Sequence, residues 1–204
     1  MPIELKICGI NSEKIIQTII KNGGCQYLGF VFYPSSPRNL TIQQSKKLTS
    51  IVPDHIKKVA VLVKPENSFI ETIEDQFDYF QVYDTSPSKV KELKLISNKK
   101  IIQAIKVKKR EDINLYKEYI GIADEFLFDS SGMEKSFSFN WDYLKSIEIE
   151  GWFLAGGINI NNLDEATKIT QKIDISSGLE DNPGKKSAQK VSDFLLKIKK
   201  LWWK

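Results

Sequence analysis

One feature constrains this chain more than any other. A short apolar run followed by a helix-period pattern recurs about eight times within 204 residues. The apolar runs predict strands at 3–8, 27–32, 58–63, 79–83, 100–107, 125–129, 152–155 and 172–176. The segments between them predict helices at 12–21, 42–51, 68–76, 88–96, 111–120, 142–147, 162–169 and 187–201. Strands joined through helices pair in parallel, because a parallel neighbour needs a crossover connection. Eight such units in roughly 200 residues sit at the lower length limit of a closed (βα)8, or TIM, barrel. An open, doubly wound sheet is the competing architecture. No linker or low-complexity stretch interrupts the pattern, so residues 1–204 are expected to form one domain.

Local punctuation agrees with this division. Ser12, Thr41 and Asn161 stand where helix N-caps are needed, and Gly23-Gly24 follows the first helix where a C-terminal glycine belongs.

Composition narrows the function classes. The chain has 30 basic and 26 acidic residues, a net charge of +4, which gives little support to a nucleic-acid partner. Only two of the basic residues are arginines, Arg38 and Arg110. Arg110 lies in a charged helix start and reads as solvated. Two cysteines and one histidine do not make a zinc site, and no metal or other cofactor is expected. No apolar stretch approaches a membrane span, and the first residues lack the layout of a signal peptide. A cytoplasmic, reducing setting is expected, with free thiols, no membrane partner, and a monomer or homodimer.

In a barrel of this kind, ligands meet the C-terminal ends of the strands. Strand side chains alternate faces, so Lys6 goes with Cys8, Gln81 with Tyr83, Leu127 with Asp129, and Asp174 with Ser176. These polar groups would converge on one mouth. Leu154-Ala155-Gly156-Gly157-Ile158 and Ser176-Ser177-Gly178-Leu179-Glu180 end strands seven and eight. Glycines let backbone N–H groups approach an anion, and this fold commonly holds phosphate at these two strands. Gly156, Gly157, Ser177 and Gly178 are therefore the candidate phosphate site. Cys25 and His55 precede strands two and three, at the opposite end, and read as structural.

The segments taken in order resemble the phosphoribosylanthranilate isomerase family. Lys6-Ile7-Cys8-Gly9-Ile10 is similar to its opening motif, and Gly29-Phe30-Val31-Phe32-Tyr33-Pro34-Ser35-Ser36-Pro37-Arg38 to its second. Asp129-Ser130, Ala155-Gly156-Gly157, Asp174-Ile175-Ser176-Ser177-Gly178-Leu179-Glu180 and Pro183-Gly184-Lys185-Lys186 follow in family order. The resemblance implies an Amadori rearrangement of a phosphoribosyl anthranilate to an amino-ketose. It implies Cys8 as general base and Asp129 as general acid, with the phosphorylated sugar-anthranilate as the small-molecule partner. A carboxyl that donates must hold its proton, and a thiol that accepts must lose it. Lys6, on the face of Cys8, would favour the thiolate. The planar guanidinium of Arg38 suits the anthranilate carboxylate. Asp174 is expected near the mouth, as a substrate contact or as a hydrogen-bonding partner inside the barrel.

Two segments depart from the family pattern. Gln-Leu-His-Gly at strand four is here Gln81-Val82-Tyr83-Asp84, where Tyr83 offers a hydrogen bond and an aromatic face to substrate. The glycine-threonine-glycine-lysine stretch after strand six is here Gly132-Met133-Glu134-Lys135, which adds a negative charge. These departures keep two other readings open. One is a phosphosugar-barrel isomerase with a different substrate, such as the amino-aldose isomerase of histidine synthesis, which would be expected to use two carboxylates. The other is a degenerate barrel that binds a phosphorylated ligand without turnover.

Overall fold

The computed structural model describes residues 3–130 and 139–202. Eight strands run in chain order around a closed barrel: β1 (Glu4–Cys8), β2 (Tyr27–Phe32), β3 (Lys57–Val63), β4 (Tyr79–Tyr83), β5 (Lys100–Lys106), β6 (Glu125–Asp129), β7 (Phe153–Leu154) and β8 (Lys172–Ile175). Every neighbouring pair is parallel, and β8 closes onto β1 with Lys6 opposite Asp174. An open sheet has no such closing pair, so that alternative is excluded.

Burial follows strand parity. Leu5, Ile7, Leu28 and Phe30 point outward and are covered by helices, among them α1 (Glu13–Asn22) and α6 (Ala188–Trp202). Val59, Val61, Ile102, Leu127 and Phe153 point inward and fill the barrel. Full burial of one such side chain stabilises the fold by about 1.5–3 kcal/mol. At the N-terminal end, the Tyr27 ring meets Tyr79 and Phe153 edge-on at 5.7 and 5.3 Å. Lys172 sits over Phe153 and bonds Glu125 at 2.9 Å. This plug closes the bottom of the barrel and leaves the other end for a ligand.

The remaining α-helices are α2 (Ile42–Thr49), α3 (Asn67–Ile73), α4 (Pro87–Ser97) and α5 (Leu163–Ile169). Thr41 caps α2 with a complete capping box. Ser12 occupies the cap of α1 without a side-chain bond, and Gly23 ends that helix at φ 63°. The expected cap Asn161 is displaced by one residue: Asn162 is the cap of α5, and Asn161 stands outside it.

The helices expected after β5 and β6 are 3-10 helices, Arg110–Tyr119 and Trp141–Ser146. Their apolar residues explain the type. Ile113, Tyr116 and Tyr119 recur every three residues, as do Trp141, Leu144 and Ile147, and all pack on the core. A helix with three residues per turn puts such a set on one face. A short antiparallel hairpin, β9 (Glu180–Asn182) with β10 (Lys185–Lys186), follows β8 and was not expected from the sequence. Gly132-Met133-Glu134-Lys135 lies outside the described residues.

Candidate active site

The site is built from the strand ends inward. Cys8 ends β1 and is buried, opposite Gly29 of β2. A Cβ at Gly29 would lie 2.9 Å from Cys8 Sγ and 3.2 Å from Lys6 Nζ. Glycine therefore leaves the room in which thiol and ammonium sit side by side. Ser176 Oγ donates to the Cys8 carbonyl at 3.0 Å and ties the end of β1 to the segment after β8.

Lys6 is fully buried inside the barrel and donates to Asp174 Oδ1 at 2.9 Å. Burial alone would lower the pKa of Lys6, but Asp174 and then Cys8 outweigh it and hold the ammonium above its ordinary value. Of the two roles expected for Asp174, the pairing inside the barrel is the one its contacts display. Burial pushes the Cys8 thiol up, and the cations Lys6, Lys186 and Arg38 pull against that rise.

Across the mouth, Asp129 ends β6 and is buried. Burial pushes its carboxyl up to about 6, although the hydrogen bond from Tyr83 works in the opposite direction. Tyr83 Oη donates to Asp129 Oδ2 at 3.0 Å and receives Gln81 Nε2 at 3.1 Å. The Tyr83 ring is only 3% exposed, so its hydroxyl serves Asp129 before it serves anything in the mouth.

Arg38 is not a free loop arginine. Its Nε and Nη2 grip both oxygens of Glu180 at 2.7 and 2.8 Å. Its aliphatic stem lies over Gly9, where a Cβ would be 2.3 Å from Arg38 Cδ. Lys186 Nζ bonds the same carboxylate at 3.1 Å, and its side chain is almost wholly buried. Burial lowers the pKa of Lys186, with Glu180 as the main opposing influence. Two cations around one carboxylate leave a net positive charge beside Cys8. Sequence reasoning missed the roles of Glu180 and Lys186, and the hairpin that brings them together is the reason. The Gly184 N–H also bonds Glu180, at 3.0 Å, and Asn11 Nδ2 holds the Gly184 carbonyl at 2.8 Å.

The two glycine segments meet. Gly156 has φ 83°, and a Cβ there would lie 2.6 Å from Ser130 Oγ. A Cβ on Gly178 would lie 2.2 Å from the Ile158 carbonyl. Ser177 opens the 3-10 turn Ser177–Leu179 beside this contact, and Gly157 follows Gly156 with φ 71°. Among the described residues the buried Ser130 hydroxyl has no hydrogen-bond partner. The two glycine segments and the Ser130 hydroxyl thus lie close together.

Cys25 and His55 lie away from this mouth. The Cys25 thiol donates to the Leu5 and Tyr27 carbonyls and is pushed up to about 12, mainly by burial, while His55 is exposed. Both cysteines are free thiols. Among the described residues no group of three or more His, Cys, Asp or Glu is arranged to hold a metal. No helix among them is long and apolar enough to cross a membrane.

Comparison with known proteins bears on this geometry. A family profile described as N-(5'phosphoribosyl)anthranilate (PRA) isomerase matches residues 5–197. An N-(5'-phosphoribosyl)anthranilate isomerase of Zymomonas mobilis subsp. mobilis is 32% identical over 98% of this chain and 100% of its own length. That of Paramagnetospirillum magneticum is 31% identical over 96% of each chain. The crystal structure of phosphoribosyl anthranilate isomerase from Thermotoga maritima superposes with a TM-score of 0.86 at 23% identity, covering 97% of this chain and 99% of the other. A phosphoribosyl anthranilate isomerase in complex with reduced 1-(o-carboxyphenylamino)-1-deoxyribulose 5-phosphate gives a TM-score of 0.83, also at 23% identity, over 97% of this chain and 99% of that one.

Proposed function

The chain belongs to the N-(5'-phosphoribosyl)anthranilate isomerase family, an isomerase of tryptophan biosynthesis, and on that premise we propose how its barrel mouth performs the reaction. The substrate phosphate rests on the backbone of Gly156, Gly157, Ser177 and Gly178, which fixes the sugar over the strand ends. The edge of Arg38 not taken by Glu180 faces the anthranilate carboxylate, and the net positive charge of Arg38, Lys186 and Glu180 favours it.

Asp129 gives its proton to the ring oxygen as the bond from that oxygen to the anomeric carbon breaks. The nitrogen lone pair fills the gap and forms an iminium. The Cys8 thiolate then takes the proton from the neighbouring sugar carbon, and that electron pair becomes the carbon–carbon double bond of an enol-amine as the nitrogen recovers its electrons. Loss of the enol hydroxyl proton and protonation of the former anomeric carbon give the amino-ketose. No oxidant or reductant enters, so the product is an isomer of the substrate.

The observation that carries this reading is the burial of the Asp129 carboxyl at the same barrel end as Cys8, which pushes it up to about 6. An ordinary aspartic acid would have lost its proton long before neutral pH. Tyr83 and Asp174 are assigned to the substrate side of the mouth at one remove, through Asp129 and Lys6. The test is rescue of a tryptophan auxotroph that lacks this isomerase. The wild-type chain restores growth, while Cys8→Ala and Asp129→Ala, expressed to the same level, do not. A soluble wild-type chain that fails to rescue would point to a different phosphosugar substrate or to a binding-only barrel.

A further inference from the structure

The interior of the barrel holds two residues, Gln81 and Tyr83, that lead to Asp129 and that the proton transfers above do not use. Gln81 is fully buried in the middle of β4, and its Nε2 donates to Tyr83 Oη at 3.1 Å. Tyr83 Oη in turn donates to Asp129 Oδ2 at 3.0 Å. Among the described residues Gln81 Oε1 has no hydrogen-bond partner. A phenol hydroxyl has one proton. With Gln81 donating to the phenol oxygen, that proton is free for one acceptor, and Asp129 Oδ2 receives it.

We propose that Gln81 and Tyr83 form a directed relay that occupies Asp129 Oδ2 and thereby places the acid proton on Oδ1, making Tyr83 the positioning residue for the general acid. The inference rests on the assignment of Asp129 as acid. A carboxylic acid carries its proton on one oxygen, and a donor aimed at the other oxygen disfavours the competing arrangement. Without it, the Ser130 N–H would be the remaining neutral donor to the carboxyl, and the proton would be less firmly placed. Among the described residues the Gln81 Oε1 has no partner, so the bond from its Nε2 to Tyr83 is the contact that holds the amide. The resemblance places a histidine at this position, whereas Tyr83 reaches the same carboxylate with a group that stays neutral. Burial and then Asp129 hold the Tyr83 pKa well above its ordinary value, so the phenol keeps its proton throughout the working range.

The test reads the carboxyl directly and turnover separately. In Tyr83→Phe, the carbon-13 resonance of Asp129 in the unliganded protein titrates above its wild-type value of about 6, because a donor to the ionised form has gone. Gln81→Leu moves it in the same direction by less, since it only weakens the donor. In Tyr83→Phe, kcat falls about tenfold or more while KM changes less than about twofold, the split expected of lost proton placement rather than lost binding. Tyr83→His, which restores a donor, recovers part of kcat. Unchanged Asp129 titration in both Tyr83→Phe and Gln81→Leu overturns the relay, as does wild-type kcat in Tyr83→Phe. A KM rise with kcat intact would also overturn it and make Tyr83 a substrate contact. Retained turnover in Asp129→Asn would remove the acid assignment instead, while leaving the Tyr83→Phe titration result standing.

Discussion

Lys6 and Asp174 face each other across the seam that closes the barrel, with Lys6 Nζ 2.9 Å from Asp174 Oδ1. The pair lies beneath Cys8, and its ammonium is the strongest influence opposing the burial of that thiol. Lys6→Met removes the ammonium and strands a buried carboxylate, which destabilises the fold by about 3–5 kcal/mol. Its effect on Cys8 is the more telling result. The midpoint for alkylation of Cys8 by iodoacetamide moves to higher pH, and Cys25, held at about 12, does not interfere. Lys6→Met/Asp174→Leu recovers most of the stability and still leaves the midpoint above wild type. An unmoved midpoint in Lys6→Met removes Lys6 from the chemistry of Cys8.

Asp129 sets a cost that its replacement should reveal. Its carboxyl is raised from 3.8 to about 6 by burial, so between these values the native state holds more protons than the unfolded chain. Stability therefore falls as pH rises through this window, and above it the full cost stands at roughly 3 kcal/mol. Asp129→Asn has no such charge to bury. Urea unfolding should find the variant more stable than wild type at pH 8, by an amount that shrinks to a small part of that near pH 4. A stability difference from wild type that is the same at both pH values would show that the carboxyl titrates normally.

The proton-moving pair also predicts the shape of a pH profile. Cys8 lies above its ordinary 9.0 and Asp129 at about 6, so the base must ionise while the acid stays protonated, against their intrinsic order. Only a small fraction of the free enzyme therefore holds both groups ready at once. That fraction is constant between the two pKa values. kcat/KM should therefore rise through about 6, run flat to beyond 9, and then fall. The acid limb belongs to Asp129 and the alkaline limb to Cys8. A rate that falls as pH rises through 6 would contradict the assignment.

Two glycines should fail in different ways. Gly29→Ala places a methyl 2.9 Å from Cys8 Sγ, closer than real contacts allow, and displaces the thiol. Its damage falls on kcat, by about a hundredfold, with a small change in KM. Gly178→Ala places a methyl 2.2 Å from the Ile158 carbonyl and forces the two glycine segments apart. Its damage falls on substrate binding, seen as a KM raised about tenfold or more and weaker inhibition by inorganic phosphate. Steady-state kinetics of the two variants side by side separate the thiol site from the phosphate site.

Much of this layout could be read from the chain before any coordinates. Parallel strands covered on both faces read as continuous apolar runs, and that is why all eight were visible. Parity then placed Lys6, Cys8, Tyr83, Asp129 and Asp174 on the inner face. What could not be read depends on partners far apart in sequence. Arg38 and Glu180 are separated by 142 residues, and nothing near either one announces the pair. Lys186 is drawn to the same carboxylate only because a short hairpin turns back on itself. The sequence predicts helices after β5 and β6 but not their 3-10 type, because their apolar residues satisfy both periods over so short a stretch. Their strict spacing of three, at Ile113, Tyr116 and Tyr119, was the available signal.

The central claim is that Cys8 and Asp129 move the two protons of one isomerisation, and turnover of N-(5'-phosphoribosyl)anthranilate by four purified proteins tests it most directly. The wild type should convert the substrate. Cys8→Ala and Asp129→Ala should each lose about a thousandfold or more in kcat, and Cys8→Ala/Asp129→Ala should be little worse than the poorer of them, because the groups act as a unit. A folded single variant whose kcat stays within about tenfold of wild type would contradict the role assigned to that residue.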